Sequence, residues 1–242
     1  MRTRMFFVRH GDSLHKRDGV IGGPKGCRGL TDTGHRQAAQ LGRRITAEIG
    51  DDTTTIYSSP LPRAVQTAAA IATATGRPSS QDCGLCTWHT PPEADGLTHA
   101  EFRRLDIEGG GIYRPWQQGN ETWAEMVTRT SRTITDLAHR HRGETVIVVG
   151  HAETVEISFN ALGLLPVYRS FDLKVCPASV TEWITDQEPT QWPPPRWTLV
   201  RFNETSALAA LRLRDDRRTA GRGRARGQLW SSWVSGARTS AG

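Results

Sequence analysis

The sequence has no long apolar segment and no pattern of an export signal. Its apolar runs are far shorter than the roughly 20 residues that cross a bilayer, and its first residues lead directly into a strand-like segment. These absences predict a soluble protein with no membrane partner, located by default in the cytoplasm. The 242 residues, of which 36% are hydrophobic, suffice for one α/β core with long excursions.

Cysteine is also scarce, and the four cysteines give little support for a metal or redox centre. Cys83 and Cys86 form a single Cys-x-x-Cys pair, and His89 is close enough in sequence to be a third ligand. A structural zinc site normally needs four ligands, and no second pair completes this one. We therefore expect reduced, structural thiols, with neither a metal nor another cofactor.

Most of the chain has no excess of positive or negative charge. The net charge of +6 resides in residues 206–242, where eight arginines face two aspartates, so residues 1–205 are formally neutral. A neutral body offers no basic face to long nucleic acid. We expect residues 1–205 to form the catalytic domain and residues 206–242, rich in Arg and Gly, to be a disordered tail. An arm that binds nucleic acid or an anionic partner, with Trp230 and Trp233 for stacking, is the alternative.

Strand-like and helix-like segments alternate along residues 1–205. Strands are expected at residues 4–9, 54–58, 145–150, 178–184 and 197–202, and helices at residues 33–49, 63–75, 122–141 and 153–162. This alternation predicts an α/β fold, a three-layer sandwich with a mainly parallel central sheet and helices on both faces. The long stretches 12–32 and 76–121 are expected as loops, and such loops are good candidates for a substrate lid.

Two histidines directly follow two of these strands. His10 comes after the strand at 4–9, and His151 comes after the strand at 145–150. Because ligands bind at the carboxyl ends of parallel strands, we expect both imidazoles to face one crevice. Arg63 lies in the first turn of the helix after a third strand, and its guanidinium is expected at the same edge. The arrangement suggests catalysis by histidine.

Four motifs follow one another in the chain. They are Val8-Arg9-His10-Gly11, Leu30-Thr31-Asp32-Thr33-Gly34, Ser58-Ser59-Pro60-Leu61-Pro62-Arg63-Ala64-Val65-Gln66-Thr67 and Gly150-His151. Together they resemble the histidine phosphatase superfamily in its phosphoglycerate mutase-like branch, over about residues 4–205. The resemblance implies that His10 attacks phosphorus and becomes a phosphohistidine, while His151 donates to the transferring phosphoryl group. From the residue types alone, the two histidines are interchangeable in these roles.

Arg9 and Arg63 are the predicted phosphate ligands. Each guanidinium presents a planar fork that holds two oxygens of a dianionic phosphate ester, a geometry that lysine cannot reproduce. Fixed positive charge from these arginines and from a histidine makes a metal unnecessary for the reaction.

The general acid of the family has no clear counterpart in this chain. The resemblance implies a glutamate in the excursion 76–121, but the matching position falls near Thr87 or Trp88, which cannot donate a proton usefully. Glu93 is our first substitute and Asp95 the second. Both are equally well interpreted as loop carboxylates, or Asp95 as only the cap of a following helix.

A second departure concerns the substrate-binding set, for which we name Lys16, Arg28 and Asp95. Many members of the family place an asparagine six residues beyond the nucleophile, where this chain has Lys16. Lys16 either binds phosphate or another anionic group as a point charge, or is solvated. Arg28, in the glycine-rich stretch 22–29, is expected to select the substrate beyond its phosphate.

The sequence thus predicts a metal-independent phosphomonoesterase that acts on a small phosphorylated metabolite. A phosphosugar, a phosphoglycerate-like acid and a nucleotide are the substrate classes considered. The alternatives are phosphoryl transfer of the phosphoglycerate mutase type, an enzyme of a specialised pathway, and a module that binds phosphate esters without turnover. The oligomeric state is left open, a dimer included.

Overall fold

The computed structural model describes residues 2–168 and 171–205. The tail predicted for residues 206–242 lies outside the described residues, so the division into domain and tail stays a prediction. The strands are β1 (Thr3–Arg9), β2 (Thr54–Ser58), β3 (Ser79–Gln81), β4 (Thr145–Gly150), β5 (Val180–Thr185) and β6 (Thr198–Glu204). The α-helices are α1 (Leu14–Asp18), α2 (Asp32–Ile49), α3 (Pro62–Thr75), α4 (His99–Phe102), α5 (Trp123–Arg140) and α6 (Ala152–Ala161).

The strands form one sheet in the order β3-β2-β4-β1-β5-β6. The pairs β3/β2, β2/β4 and β4/β1 are parallel, whereas β5 and β6 add to the edge as antiparallel strands. Arg9 at the end of β1 is in register with Gly150 at the end of β4. The residues that follow these two strands therefore leave the sheet side by side.

Helices cover both faces of the sheet, so the predicted three-layer α/β sandwich is confirmed. On one face, Met5 and Phe7 of β1 and Val146 and Val148 of β4 share a buried cluster with side chains of α5 and α6. On the other face α3 packs on β2 and β4, and α2 packs on α3. Both central strands are apolar on both faces because both faces are covered. Within the described ranges, no helix has the length and apolarity needed to cross a membrane.

The two stretches predicted to be loops contain several short elements. They hold α1, β3, α4 and three 3₁₀ helices, at Cys83–Leu85, Pro92–Ala94 and Arg103–Leu105. These elements are too short to show a hydrophobic period, and β3 is an exposed, polar edge strand. Thr98 and Glu101 cap α4 reciprocally through their side chains and backbone N–H groups. The cap of this helix is thus Thr98, and the interpretation of Asp95 as a helix cap is wrong.

Candidate active site

His10 and His151 lie next to each other at the carboxyl ends of the central strands. Their ring centroids are 5.3 Å apart, with the ring planes at 64°. Both residues are buried, with 4% and 2% of their surface exposed. The backbone N–H of His10 donates to the carbonyl of Gly150 at 2.9 Å, which extends the β1/β4 ladder into the site. The parallel register thus joins two residues that are far apart in sequence.

The ring of His10 is oriented by the turn that follows it. Its Nδ1 lies 2.7 Å from the carbonyl oxygen of Gly11. A carbonyl can only accept, so Nδ1 carries the proton and the lone pair of the neutral ring is on Nε2. A side chain at Gly11 would meet the carbonyl oxygen of Gly34 at 2.7 Å, so the turn requires glycine. Burial, followed by the charges of Arg63 and Arg9, holds the pKa of His10 well below its ordinary value.

The ring of His151 is held by Ser59, the residue that follows β2. Its Nε2 lies 2.9 Å from the hydroxyl oxygen of Ser59, and its backbone N–H donates to Thr154 Oγ1 at 3.0 Å. Among the described residues, no group makes a hydrogen bond to its buried Nδ1. Burial and then the charge of Arg63 keep the pKa of His151 well below its ordinary value, so the ring is neutral.

Ser59 is a site residue that the sequence analysis missed. It is fully buried, and its backbone N–H donates to the carbonyl of Val149, which places it beside the end of β4. The signal was present in the sequence, because Ser59 follows a predicted strand that ends at the same sheet edge as the two histidine strands.

Arg9 and Arg63 supply the positive charge that acts on both imidazoles. Arg63 is buried, and its Nη1 donates to the carbonyl oxygen of Gly22 at 2.7 Å. Nη1 of Arg9 donates to the carbonyl oxygen of Val175, and burial lowers the pKa of this guanidinium. The buried Nε atoms of both arginines have no hydrogen-bond partner within the described chain. Because buried donors of charged groups are costly without an acceptor, these N–H groups fit an anion.

Two further polar groups near the histidines lack a partner. The ring of His15 in α1 is centred 6.2 Å from that of His10, and its Nδ1 is buried without a hydrogen bond from any described residue. Burial, followed by the charge of Arg63, lowers the pKa of His15 to about 3. Ser179 also has an unpartnered polar atom, since its buried Oγ makes no hydrogen bond to any described residue. Its backbone carbonyl accepts from the backbone N–H of Arg9, next to His10. Neither residue was assigned a role from sequence.

Lys16 and Arg28 have different surroundings. Lys16 is exposed on α1, and desolvation, followed by the charge of Arg9, lowers the pKa of its ammonium group. The phosphate-binding and the solvated interpretations of Lys16 both stay predictions. The side chain of Arg28 is 62% exposed and forms an ion pair with Asp18. Arg28 thus has a surface contact in the free protein, and the substrate contact expected of it stays a prediction.

Glu93 and Asp95, the two candidates for the general acid, also differ in their surroundings. Both carboxylate oxygens of Asp95 accept backbone N–H groups, from Lys25 at 2.6 Å and from Gly26 at 2.8 Å. Asp95 thus holds the glycine-rich loop whose carbonyl at Gly22 accepts from Arg63, and its roles in proton donation or substrate binding stay predictions. Glu93 is exposed on a 3₁₀ helix. It stays the candidate acid.

Comparisons with known proteins bear on this arrangement. The family model described as histidine phosphatase superfamily (branch 1) matches residues 5–205. A metal-independent phosphoserine phosphatase of Arabidopsis thaliana is 28% identical over 165 residues, which are 62% of this chain and 64% of that protein. A bifunctional protein of Mycobacterium tuberculosis is also 28% identical, over 64% of this chain and 43% of its own length. The chain thus spans less than two thirds of these curated relatives.

Solved structures extend the comparison to the fold. YhfR of Bacillus stearothermophilus matches with a TM-score of 0.71 and 23% identity, over 85% of this chain and 99% of its own. At identities of this level the likeness shows a common fold. The family model, by contrast, covers most of the chain, including His10, Arg63 and His151. The chain therefore belongs to the histidine phosphatase superfamily, branch 1.

Proposed function

We propose that this protein is a phosphomonoesterase that acts on a small phosphorylated metabolite through a phosphohistidine at His10. One observation carries the proposal: two neutral, buried imidazoles lie side by side, the charges of two guanidiniums act on both rings, and the buried Nε donors of these guanidiniums have no partner among the described residues. The site therefore combines a nucleophile with donors for a multiply charged anion. The phosphatase named among the relatives supports the same chemistry.

In the first half-reaction the lone pair of His10 Nε2 attacks phosphorus. The bond between phosphorus and the ester oxygen breaks, and the oxygen leaves with the bonding electrons and accepts a proton. Arg9 and Arg63 donate to the peripheral oxygens, whose charge would otherwise repel the lone pair. The proton retained on Nδ1 by the Gly11 carbonyl prevents the ring from presenting the wrong nitrogen.

In the second half-reaction water attacks the phosphorus of the phosphohistidine and passes a proton to the group that protonated the leaving oxygen. The bond between Nε2 and phosphorus breaks, and its electrons return to His10 as the lone pair, so the free enzyme is restored with release of phosphate. The same two guanidiniums hold the phosphoryl oxygens in both steps. A fixed cradle of this kind needs no rearrangement between the attack of the histidine and the attack of water.

His151 is proposed to donate a proton or hydrogen bond from Nδ1 to the phosphoryl group. The ring is neutral in the free protein, since burial and Arg63 lower its pKa. The dianionic ester stabilises the charged ring when it is bound, because an opposite charge at contact distance raises the pKa of an imidazole. The proton that His151 donates therefore enters with the substrate.

This protonation scheme predicts an acidic optimum for kcat/KM. The second pKa of a phosphate ester is about 6. The monoanion of the substrate carries the required proton, and above this pKa its fraction falls about tenfold per pH unit, so kcat/KM should fall with it. Below this pKa kcat/KM should stay level until His10, whose pKa is strongly lowered, becomes protonated. Initial rates at low substrate concentration over pH 4.5–8.5 check this expectation. A value of kcat/KM that rises from about pH 6 to pH 8 would contradict it.

Glu93→Gln and Asp95→Asn test the source of the leaving-group proton. If Glu93 is the acid, Glu93→Gln should slow hydrolysis of an alkyl phosphate by about 100-fold and that of p-nitrophenyl phosphate far less, because a phenolate leaves without help. Asp95→Asn should affect both substrates equally, since Asp95 binds the loop backbone. Equal effects of Glu93→Gln on the two substrates would remove Glu93 from this role.

The direct test of function is phosphate release by the purified full chain across phosphosugars, phosphoglycerates and nucleoside monophosphates, with a metal chelator present. Hydrolysis of one class with a kcat/KM well above the others would establish the phosphatase and its substrate. Isomerisation of a phosphoglycerate without net release would indicate a mutase instead. Binding of esters with no turnover of any of them would indicate a binding module.

A further inference from the structure

Cys83, Cys86 and His89 come together in a cluster outside the proposed active site. Cys83 Sγ lies 3.4 Å from Cys86 Sγ and 3.5 Å from His89 Nε2, and all three ligand atoms lie within 4.8 Å of one another. The cysteines are free thiols. We refer to these three residues as the thiol cluster.

The separations within the thiol cluster are those of ligands around one metal ion. Tetrahedral zinc with bonds of about 2.3 Å to sulfur and 2.0 Å to nitrogen places two sulfurs about 3.8 Å apart and a sulfur and a nitrogen about 3.5 Å apart. The observed 3.4 Å and 3.5 Å are close to these values. Cys83 and His89 are exposed, so solvent can reach the cluster and supply a fourth ligand.

The backbone around the thiol cluster is held firmly. Arg129 of α5 donates from Nη1 to the carbonyls of Cys83, Gly84 and Cys86, while its Nε and Nη2 bind the carboxylate of Glu121. The 3₁₀ turn at Cys83–Leu85 also approaches α5 closely, because a Cβ at Gly84 would lie 1.9 Å from Thr133 Oγ1. The ligand-bearing turn is thus positioned before any ion binds.

We propose that Cys83, Cys86 and His89 form a binding site for one Zn²⁺ ion. Thiolate sulfur and imidazole nitrogen are ligands that zinc prefers over the hard cations Mg²⁺ and Ca²⁺. Binding exchanges the two thiol protons for the metal, the protons pass to solvent, and His89 contributes the lone pair of Nε2. The expectation of unliganded thiols relied on the missing second Cys-x-x-Cys pair, and the fold supplies His89 and solvent access in its place.

The site is connected to the proposed active site through one side chain. The hydroxyl of Ser59 donates to Cys86 Sγ at 3.6 Å, and the same oxygen lies 2.9 Å from His151 Nε2. A metal-bound thiolate is a stronger hydrogen-bond acceptor than a thiol, so the hydroxyl proton of Ser59 points toward Cys86 Sγ. Ser59 then accepts from Nε2–H of His151 and fixes that ring. Zinc here is a positioning element for His151 and takes no part in the phosphoryl transfer.

Cobalt titration of the full-length reduced protein tests the site with a readout independent of phosphatase activity. Co²⁺ bound by thiolates gives an intense sulfur-to-metal charge-transfer absorption in the near ultraviolet. We expect this absorption to saturate at about one equivalent and to be abolished by about one equivalent of Zn²⁺. Cys83→Ser and His89→Ala should weaken Zn²⁺ binding, measured by competition with a chromophoric chelator, by at least about 100-fold.

Matched controls separate the cluster from other thiols and imidazoles. Cys176→Ser and the exposed His139→Ala should bind zinc like the wild type. Zn²⁺ should also raise the unfolding temperature of the wild type and of these controls, but not that of Cys83→Ser. The proposal is overturned if no charge-transfer band develops or if Cys83→Ser retains wild-type affinity.

Discussion

Replacement of His10 by alanine is expected to abolish phosphate release, with a loss of at least about 10⁴-fold in kcat. His10 is the group from which the proposed intermediate is built, and the described site offers no second histidine with its oriented Nε2. His151 Nε2 is in hydrogen-bond contact with Ser59, and the ring of His15 is centred 6.2 Å from that of His10. The measurement is phosphate release under saturating substrate, with rapid quench at alkaline pH and mass spectrometry to detect phosphohistidine on the wild type.

The control for His10→Ala is His139→Ala. His139 is an exposed histidine near the end of α5, at the opposite edge of the sheet from the site. It should show wild-type turnover and phosphoenzyme, and thermal unfolding of both variants checks that each is folded. A phosphoenzyme of normal yield in His10→Ala, or turnover within about tenfold of the wild type, would rule out His10 as the nucleophile.

Replacement of Arg63 by lysine is expected to lower kcat/KM by about 10²–10³-fold. Lysine keeps the positive charge but loses the planar fork that binds the Gly22 carbonyl through Nη1 while leaving Nε for an anion. The buried arm of Arg63 also has no space for the solvent that a lysine ammonium would need. Steady-state kinetics with one ester, together with the affinity for inorganic phosphate, separate loss of binding from loss of rate.

Arg43→Lys is the matched comparison, since Arg43 is an exposed arginine on α2. It should leave both kinetic constants unchanged. If Arg63→Lys keeps at least about half of the wild-type kcat/KM, charge alone would be sufficient at this position. The bidentate geometry assigned to Arg63 would then be wrong.

The fold was predictable because its central strands are apolar throughout. β1 and β4 are buried on both faces, so their sequences show continuous runs that only a covered, parallel sheet explains. The long helices α2 and α5 were predictable from their amphipathic spacing. The short elements α1, β3 and α4 were not, since five or fewer residues carry too little periodicity, and their polar side chains resemble those of loops.

The candidate site was predictable where its residues follow strands. His10 and His151 end β1 and β4, and the topology of a parallel sheet brings such ends together whatever their separation in sequence. This reasoning does not reach the contacts of Arg28 and Asp95, which lie in loops. Their residue types suit phosphate chemistry, but Arg28 pairs with Asp18 and Asp95 binds loop N–H groups, and loop contacts of this kind leave no periodic signal.

By itself the sequence determined the family, the sheet with its covering helices, and the four groups expected at the phosphate. Local hydrophobic patterns and strand ends encode these features directly. The tertiary structure alone decided which nitrogen of His10 carries the proton, that Ser59 faces His151, and that His89 joins Cys83 and Cys86. These relations depend on side-chain directions and distances of a few ångströms between different loops, which are set only when the elements pack.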